Sequence, residues 1–100
     1  MRTILLACNA GMSTSLLVQK MQREAQAQGL DVQIKANPLN KALEMVDQAD
    51  CLLLGPQIAY AQKEAVKAAG DTPVFVIAMA DYGRMNAKKI LDDAMKLMGE

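Results

Sequence analysis

Thr3-Ile4-Leu5-Leu6-Ala7 runs into Cys8-Asn9-Ala10-Gly11-Met12-Ser13-Thr14-Ser15, which runs into Leu16-Leu17-Val18. The first piece is a short apolar run closed by a loop, as expected of a buried strand. The last piece opens a helical pattern from Ser13 to about Gln28, with Leu17, Met21 and Ala25 four apart and Gly29 as the stop. A strand, a loop opening on a thiol, and a helix start together make an anion site. Backbone N–H groups of the loop and of the helix N-terminus point inward, and the helix dipole adds positive potential there. A thiol in that position is biased toward thiolate, the form that attacks. An anion cradle around a thiolate suits one task, the acceptance of a phosphoryl group on sulfur.

The same alternation continues outward from this stretch. Leu30, Val32, Ile34 and Ala36 alternate with Asp31, Gln33 and Lys35, a half-exposed strand that Asn37-Pro38 breaks. Leu39, Ala42, Leu43 and Val46 form a helix stripe. Cys51-Leu52-Leu53-Leu54 reads as a third buried strand, stopped by Gly55-Pro56, and Ile58, Ala61, Ala65 and Ala69 make the next helix face, ended by Gly70. Pro73 introduces a fourth strand, Val74-Phe75-Val76-Ile77. A last helix from about Asn86 turns Ala87, Ile90, Leu91, Ala94, Leu97 and Met98 inward. Strands alternating with helices predict right-handed βαβ units and a three-layer α/β fold, a four-stranded parallel sheet with helices on both faces. The expected strand order is 2-1-3-4. That order puts the end of strand one, and Cys8 with it, at the switch point where such sheets bind ligands. The fourth strand is then an edge strand, yet it is apolar on both faces; helices covering both faces reconcile the two.

The chain's 100 residues are expected to form a single domain over 1–100, since they suffice for one core and not for two. Lys and Arg number 11, as do Asp and Glu, so no net charge favours nucleic acid or an anionic membrane. No apolar stretch approaches the length of a membrane span. Histidine is absent, which removes Cys-His and Ser-His nucleophile pairs and leaves only Cys8 and Cys51 as soft metal ligands. No metal and no cofactor is expected. Two cysteines so far apart suggest a reducing cytosol rather than a disulfide framework. Leu5-Leu6-Ala7-Cys8 has the look of a lipoprotein cleavage box, but Thr3–Ala7 falls short of the apolar region of about 7–15 residues that a signal peptide needs.

The Cys8 loop lacks the Gly-Lys-Ser/Thr of a nucleotide-binding P-loop and the G-x-G-x-x-G of a dinucleotide site. It is similar to the loop of low-molecular-weight tyrosine phosphatases: a cysteine, five residues, an arginine and a hydroxyl residue. Thr14 stands where that arginine would clamp phosphoryl oxygens, and Ser15 holds the hydroxyl position. Loss of the clamp argues against a hydrolase and for a carrier. A receiver-like signalling module fails on residue type, since the relevant strand ends carry Cys8 and Leu54-Gly55 instead of aspartates. The plain alternative for Cys8 is a buried structural thiol.

Cys8-Asn9-Ala10-Gly11-Met12-Ser13-Thr14-Ser15-Leu16-Leu17 and Leu53-Leu54-Gly55-Pro56-Gln57-Ile58-Ala59-Tyr60 resemble the IIB component of the bacterial phosphoenolpyruvate-dependent sugar phosphotransferase system, of the lactose/cellobiose/diacetylchitobiose class. The resemblance covers essentially the whole chain. It implies a cytoplasmic phosphoryl relay. Cys8 would take phosphate from a phosphohistidine on the IIA partner and pass it to a sugar, a β-linked disaccharide, arriving through the membrane transporter IIC. The protein itself would be a monomer that docks transiently.

In this reading the backbone N–H groups from Asn9 through Ala10, Gly11, Met12, Ser13 and Thr14 to Ser15 hold the equatorial oxygens. Gly11 permits the backbone angles of the nest. The hydroxyls of Ser13, Thr14 and Ser15 add donors or serve only as helix caps, one of them as the N-cap. Gln57 and Tyr60 follow strand three on the Cys8 edge and are expected at the site rim or a partner surface; a Pro-led turn into a helix is the plain alternative. Asp81-Tyr82-Gly83 reads as a turn on the same edge. Tyr82 is a candidate rim residue there, and Asp81 is the carboxylate to watch as a phosphatase-type general acid. Cys51, starting its strand, is expected on the order of 15 Å from Cys8 and reads as a packing thiol. Most methionines read as core fillers, with Met12 the exception, a candidate for a docking patch. The competing function is a low-molecular-weight phosphatase-like thiol hydrolase.

Overall fold

Successive residues of a strand face opposite ways, and β1 (Arg2–Cys8) uses this to feed two cores at once. Ile4 and Leu6 pack on one side, while Leu5 and Ala7 pack on the other. The structure, a computed structural model, describes residues 2–8 and 11–99. Around β1 the chain runs through α1 (Gly11–Ala27), β2 (Val32–Pro38), α2 (Leu39–Met45), β3 (Cys51–Leu54), α3 (Gln62–Ala69), β4 (Val74–Val76), α4 (Met79–Gly83) and α5 (Ala87–Leu97). The strands form one parallel sheet in the order β2-β1-β3-β4, as the sequence predicts.

On one face, Leu17, Met21 and Ala25 of α1 and Ile90, Leu91 and Ala94 of α5 meet Ile4, Leu6, Cys51 and Leu53. On the other, Ala42 of α2 and Ala65 and Ala69 of α3 meet Leu5, Ala7, Leu52 and Leu54. All four residues of β3 are 0% exposed. Each fully buried Leu or Ile contributes about 1.5–3 kcal/mol, so these two layers hold the sheet in place. The fourth strand resolves its apparent conflict in the expected way: Phe75 joins the first core, Val74 and Val76 join the second, and all three remain half-buried at the sheet edge. Ile77 lies just past the strand, although its N–H still reaches Leu54 O at 2.9 Å.

Three local readings need correction. Pro38 does not break the chain before the second helix; it ends β2 opposite Cys8 and serves as the N-cap of α2. A proline without a donor is tolerated there because β2 is an edge strand. The alternation in β2 lapses at Ala36, which is exposed. The helix face after β3 is right in its buried residues, but its first part is a 3₁₀ segment, Pro56–Ala61, kinked at Ile58, before α3 begins. At the end of α1, Gly29 adopts φ +70°, and the Leu30 N–H bonds back to Ala25 O at 2.9 Å. This is the left-handed stop that glycine makes without steric cost.

Candidate functional site

Cys8 is the last residue of β1 and is 6% exposed. The chain leaves β1 through α1 on one face of the sheet, and it returns from β2 to β3 through α2 on the other. The end of β1 is therefore the switch point, the position at which open parallel sheets bind ligands. α1 starts at Gly11, three positions after the thiol, with no acidic residue in its first turn. The N–H groups of that turn have no partner within the helix, and the positive end of its dipole lies beside the strand end.

The helix start is two residues earlier than the hydroxyl pattern suggests. Ser13, Thr14 and Ser15 accordingly sit inside the opening turns of α1, and none occupies its N-cap. Gly11 and Met12 accept helical angles, so the helix begins before the first hydroxyl. Ser15 is exposed. Asn9 and Ala10 lie outside the described residues, as do the side chains of Met12, Ser13 and Thr14.

Beside Cys8, the Gly55 N–H donates to Ala7 O at 3.1 Å, which sets the end of β3 level with the thiol. Gly55 is crowded. A Cβ there would lie 3.1 Å from Gln57 Oε1, 3.7 Å from Ala7 O and 3.7 Å from Tyr82 Cε2. The structure thus gathers Gln57 and Tyr82 around the residue next to Cys8. Tyr60 is not part of this group and stands 77% exposed on the 3₁₀ segment.

The Asp81-Tyr82-Gly83 turn is instead the short helix α4, with the Tyr82 N–H bonded to Ala78 O and the Arg84 N–H to Ala80 O. The Tyr82 ring drives this outcome: it is buried in the core beneath α1 and α5, and that burial outweighs the turn preference of its neighbours. Asp81 faces α5, where its carboxylate lies 3.9 Å from Lys89 Nζ, which also bonds Asp93 at 2.9 Å.

Two residues at this edge were missed in the sequence. Leu16, early in α1, is 46% exposed, and Met79, opening α4, is 73% exposed. Met79 is therefore not one of the core methionines. Together with Tyr60, these apolar side chains follow the C-terminal ends of β1, β3 and β4.

Cys51 lies at the other end of the sheet, in register with Ile4. Four strand residues separate that level from Cys8, or about 13 Å, so the two thiols, both free, are too far apart to pair. Burial, and then the neighbouring Asp50 charge, push the Cys51 thiol up to about 12. It is a packing group.

A three-layer parallel α/β fold with a cysteine ending its first strand defines a class, and the comparisons give that class its family. Residues 3–93 match the family model described as "PTS system, Lactose/Cellobiose specific IIB subunit", and the chain belongs to this family of phosphotransferases. An oligo-beta-mannoside-specific EIIB component of Bacillus subtilis (strain 168) is 44% identical, the match covering 98% of this chain and 97% of that protein. A cellobiose-specific EIIB component of Lactococcus lactis subsp. lactis is also 44% identical, over 97% of this chain and 96% of its own. Among solved structures, the cellobiose-specific IIB component of Borrelia burgdorferi superposes with a TM-score of 0.81 at 35% identity, covering 98% of this chain and 92% of that one. The lactose-specific IIB domain of Streptococcus pneumoniae shares the fold at the same TM-score of 0.81 with 14% identity, over 95% of each chain.

Proposed function

We propose that Cys8 carries a phosphoryl group between a IIA phosphohistidine and a sugar delivered by the membrane transporter IIC. The observation that carries this reading is the position of Cys8: the last residue of β1, at the switch point, directly before the N-terminus of α1. The Cys8 thiolate attacks phosphorus in line, the S–P bond forms, and the P–N bond to the donor imidazole breaks. The first-turn N–H groups of α1 stabilise charge on the equatorial oxygens as it develops. A sugar hydroxyl then attacks the same phosphorus, the new O–P bond forms, and the thiolate leaves as the hydroxyl proton is released. No acidic side chain in the loop or the first turn repels the phosphoryl group or activates water against it.

Gln57 and Tyr82 border the phosphoryl site through Gly55, and Leu16, Tyr60 and Met79 form an apolar rim on which the protein partners dock. Exposed apolar side chains clustered at a site edge mark such surfaces. No described helix is long and apolar enough to cross a membrane, which accords with a cytoplasmic relay that meets its sugar at the transporter. The lactose/cellobiose description of the family supports a β-linked disaccharide as the sugar. Relatives named for oligo-beta-mannoside, galactose and cellobiose are each 44% identical to this chain, so overall similarity does not choose among them.

The test is the intact mass of the protein after incubation with phosphoenolpyruvate, the general phosphotransferase proteins and a cognate IIA. The expected result is one added phosphoryl group, absent from a Cys8→Ser variant. An unmodified protein beside phosphorylated IIA, together with hydrolysis of p-nitrophenyl phosphate, would replace the relay with a thiol phosphatase.

A further inference from the structure

A wide cleft among the described residues lies away from Cys8. Open to solvent along its outer side, it holds about 650 Å³ between the second half of α1 and the segment joining α4 to α5, and is lined by Lys20, Arg23, Glu24, Arg84, Met85 and Lys88, with Ala27, Asn86 and Ala87. Lys20 is nine residues into α1, so the cleft begins roughly 13 Å along that helix from its start at Gly11.

The charge in the cleft is lopsided. The whole chain balances 11 basic against 11 acidic residues, yet the cleft holds four cations and one carboxylate. None of those four cations forms an ion pair or a side-chain hydrogen bond among the described residues. One position further along α5, Lys89 is held by Asp93 and lies near Asp81, so cations on this helix do pair where carboxylates are within reach. The single carboxylate, Glu24, accepts from Gln28 Nε2 at 2.8 Å along its own helix. Lys20, Arg23, Glu24 and Ala27 fall on one stripe of α1, so that wall faces the cleft as a unit. The opposite wall is the start of α5, whose dipole adds potential of the same sign.

We propose that this cleft binds the phosphate-monoester dianion of a small phosphorylated ligand, at a site separate from Cys8. Arg23 on one wall and Arg84 on the other each present a planar fork matched to phosphate oxygens, and Lys20 and Lys88 add point charges. The volume is that of a small-molecule site. Ala87, buried, and Met85, half-buried, give the lining an apolar part against which an uncharged body could lie beside the phosphate. The same phosphate chemistry has two sources, a free metabolite or a phospholipid headgroup.

The test is a ¹H–¹⁵N NMR titration of the full chain with inorganic phosphate, glucose 6-phosphate and, as the uncharged control, glucose. Alongside it run co-sedimentation assays with phosphatidylcholine vesicles that contain or lack phosphatidic acid, the lipid whose headgroup is a phosphate monoester. Saturable shifts at Lys20–Ala27 and Arg84–Lys88 with the phosphates and not with glucose are expected. The double variant Arg23→Gln/Arg84→Gln, whose own spectrum reports that it is folded, should weaken binding by at least about tenfold, as the loss of a single charge-assisted pair would. A Lys89→Gln variant should leave binding unchanged. Binding only to the vesicles that contain phosphatidic acid, lost in the double variant, would assign the lipid source. Shifts confined to residues 8–15, non-saturating shifts, or equal affinity in the double variant would overturn the site.

Discussion

Raising the pH should destabilise this protein through Cys51, by an amount that can be worked out. The folded thiol sits at about 12, because burial and the Asp50 charge disfavour the thiolate. In the unfolded chain a cysteine ionises near about 8.5. Below that value both states hold the proton and the thiol costs nothing. Above it the unfolded chain releases a proton that the folded state keeps, so stability falls as pH rises from about 8.5 toward about 12. At pH 10 the expected loss is about 2 kcal/mol relative to pH 7, from a limiting slope of about 1.4 kcal/mol per unit. The assay is urea unfolding of Cys8→Ser beside Cys8→Ser/Cys51→Ala at pH 7 and pH 10. Lysine and tyrosine titrations cancel between the pair, and the small cavity left by the alanine costs the same at both pH values. The stability advantage of the Cys51 thiol over the alanine variant should shrink by about 2 kcal/mol, equivalent to a midpoint shift of about 1 M urea. An advantage that stays constant across the two pH values would refute the argument that burial holds this thiol protonated.

The same burial predicts selective chemistry. Burial holds Cys51 as the protonated thiol at neutral pH, so brief iodoacetamide treatment of the native protein should add a single group, mapped by peptide mass spectrometry to Cys8, with Cys51 labelled only after unfolding. Removing the exposed rim should act on partners and not on the fold: Tyr60→Ala/Met79→Ala should change unfolding stability by less than about 1 kcal/mol, yet raise the apparent KM for phosphorylated IIA several-fold with kcat little changed. An unaltered KM would show that IIA docks elsewhere.

Where the sequence predicted well, a single physical signal decided the matter. The apolar runs Thr3–Ala7 and Cys51–Leu54 sit between loop signals, and both are central strands. The stripes Leu17, Met21, Ala25 and Ile90, Leu91, Ala94 are buried as spaced. Strand order followed from placing strand one at the centre, and that placed Cys8 at the switch point. The misreadings occur where two signals compete. A run of hydroxyls suggests a helix start at Ser13, but the helix begins two residues earlier, at Gly11. Asp-Tyr-Gly suggests a turn, but burial of the Tyr82 ring makes a helix. The exposure of Leu16 and Met79, and the meeting of Gln57 and Tyr82 at Gly55, depend on contacts between distant segments, and no local pattern encodes them.

The contrast between carrying and hydrolysing a phosphoryl group turns on what surrounds the thiol. A hydrolase needs an acid to protonate the leaving group and a clamp to fix the oxygens against attacking water. Thr14 takes the place of the clamp arginine. The carboxylate that the sequence offered as an acid, Asp81, is drawn toward Lys89 on α5, next to the stronger Lys89–Asp93 pair. Among the described residues, the end of β1 is followed by the N-terminus of α1, and the Gln57 amide and the Tyr82 ring lie around Gly55. In the proposed relay the N–H donors of that helix start stabilise charge on the phosphoryl oxygens. In that relay the acceptor hydroxyl comes from outside, and the exposed side chains of Leu16, Tyr60 and Met79 are those proposed to meet the partner that brings it. In the proposed relay, a phosphocysteine that survives until a partner docks follows from the lack of an acidic residue in the loop and first turn after β1.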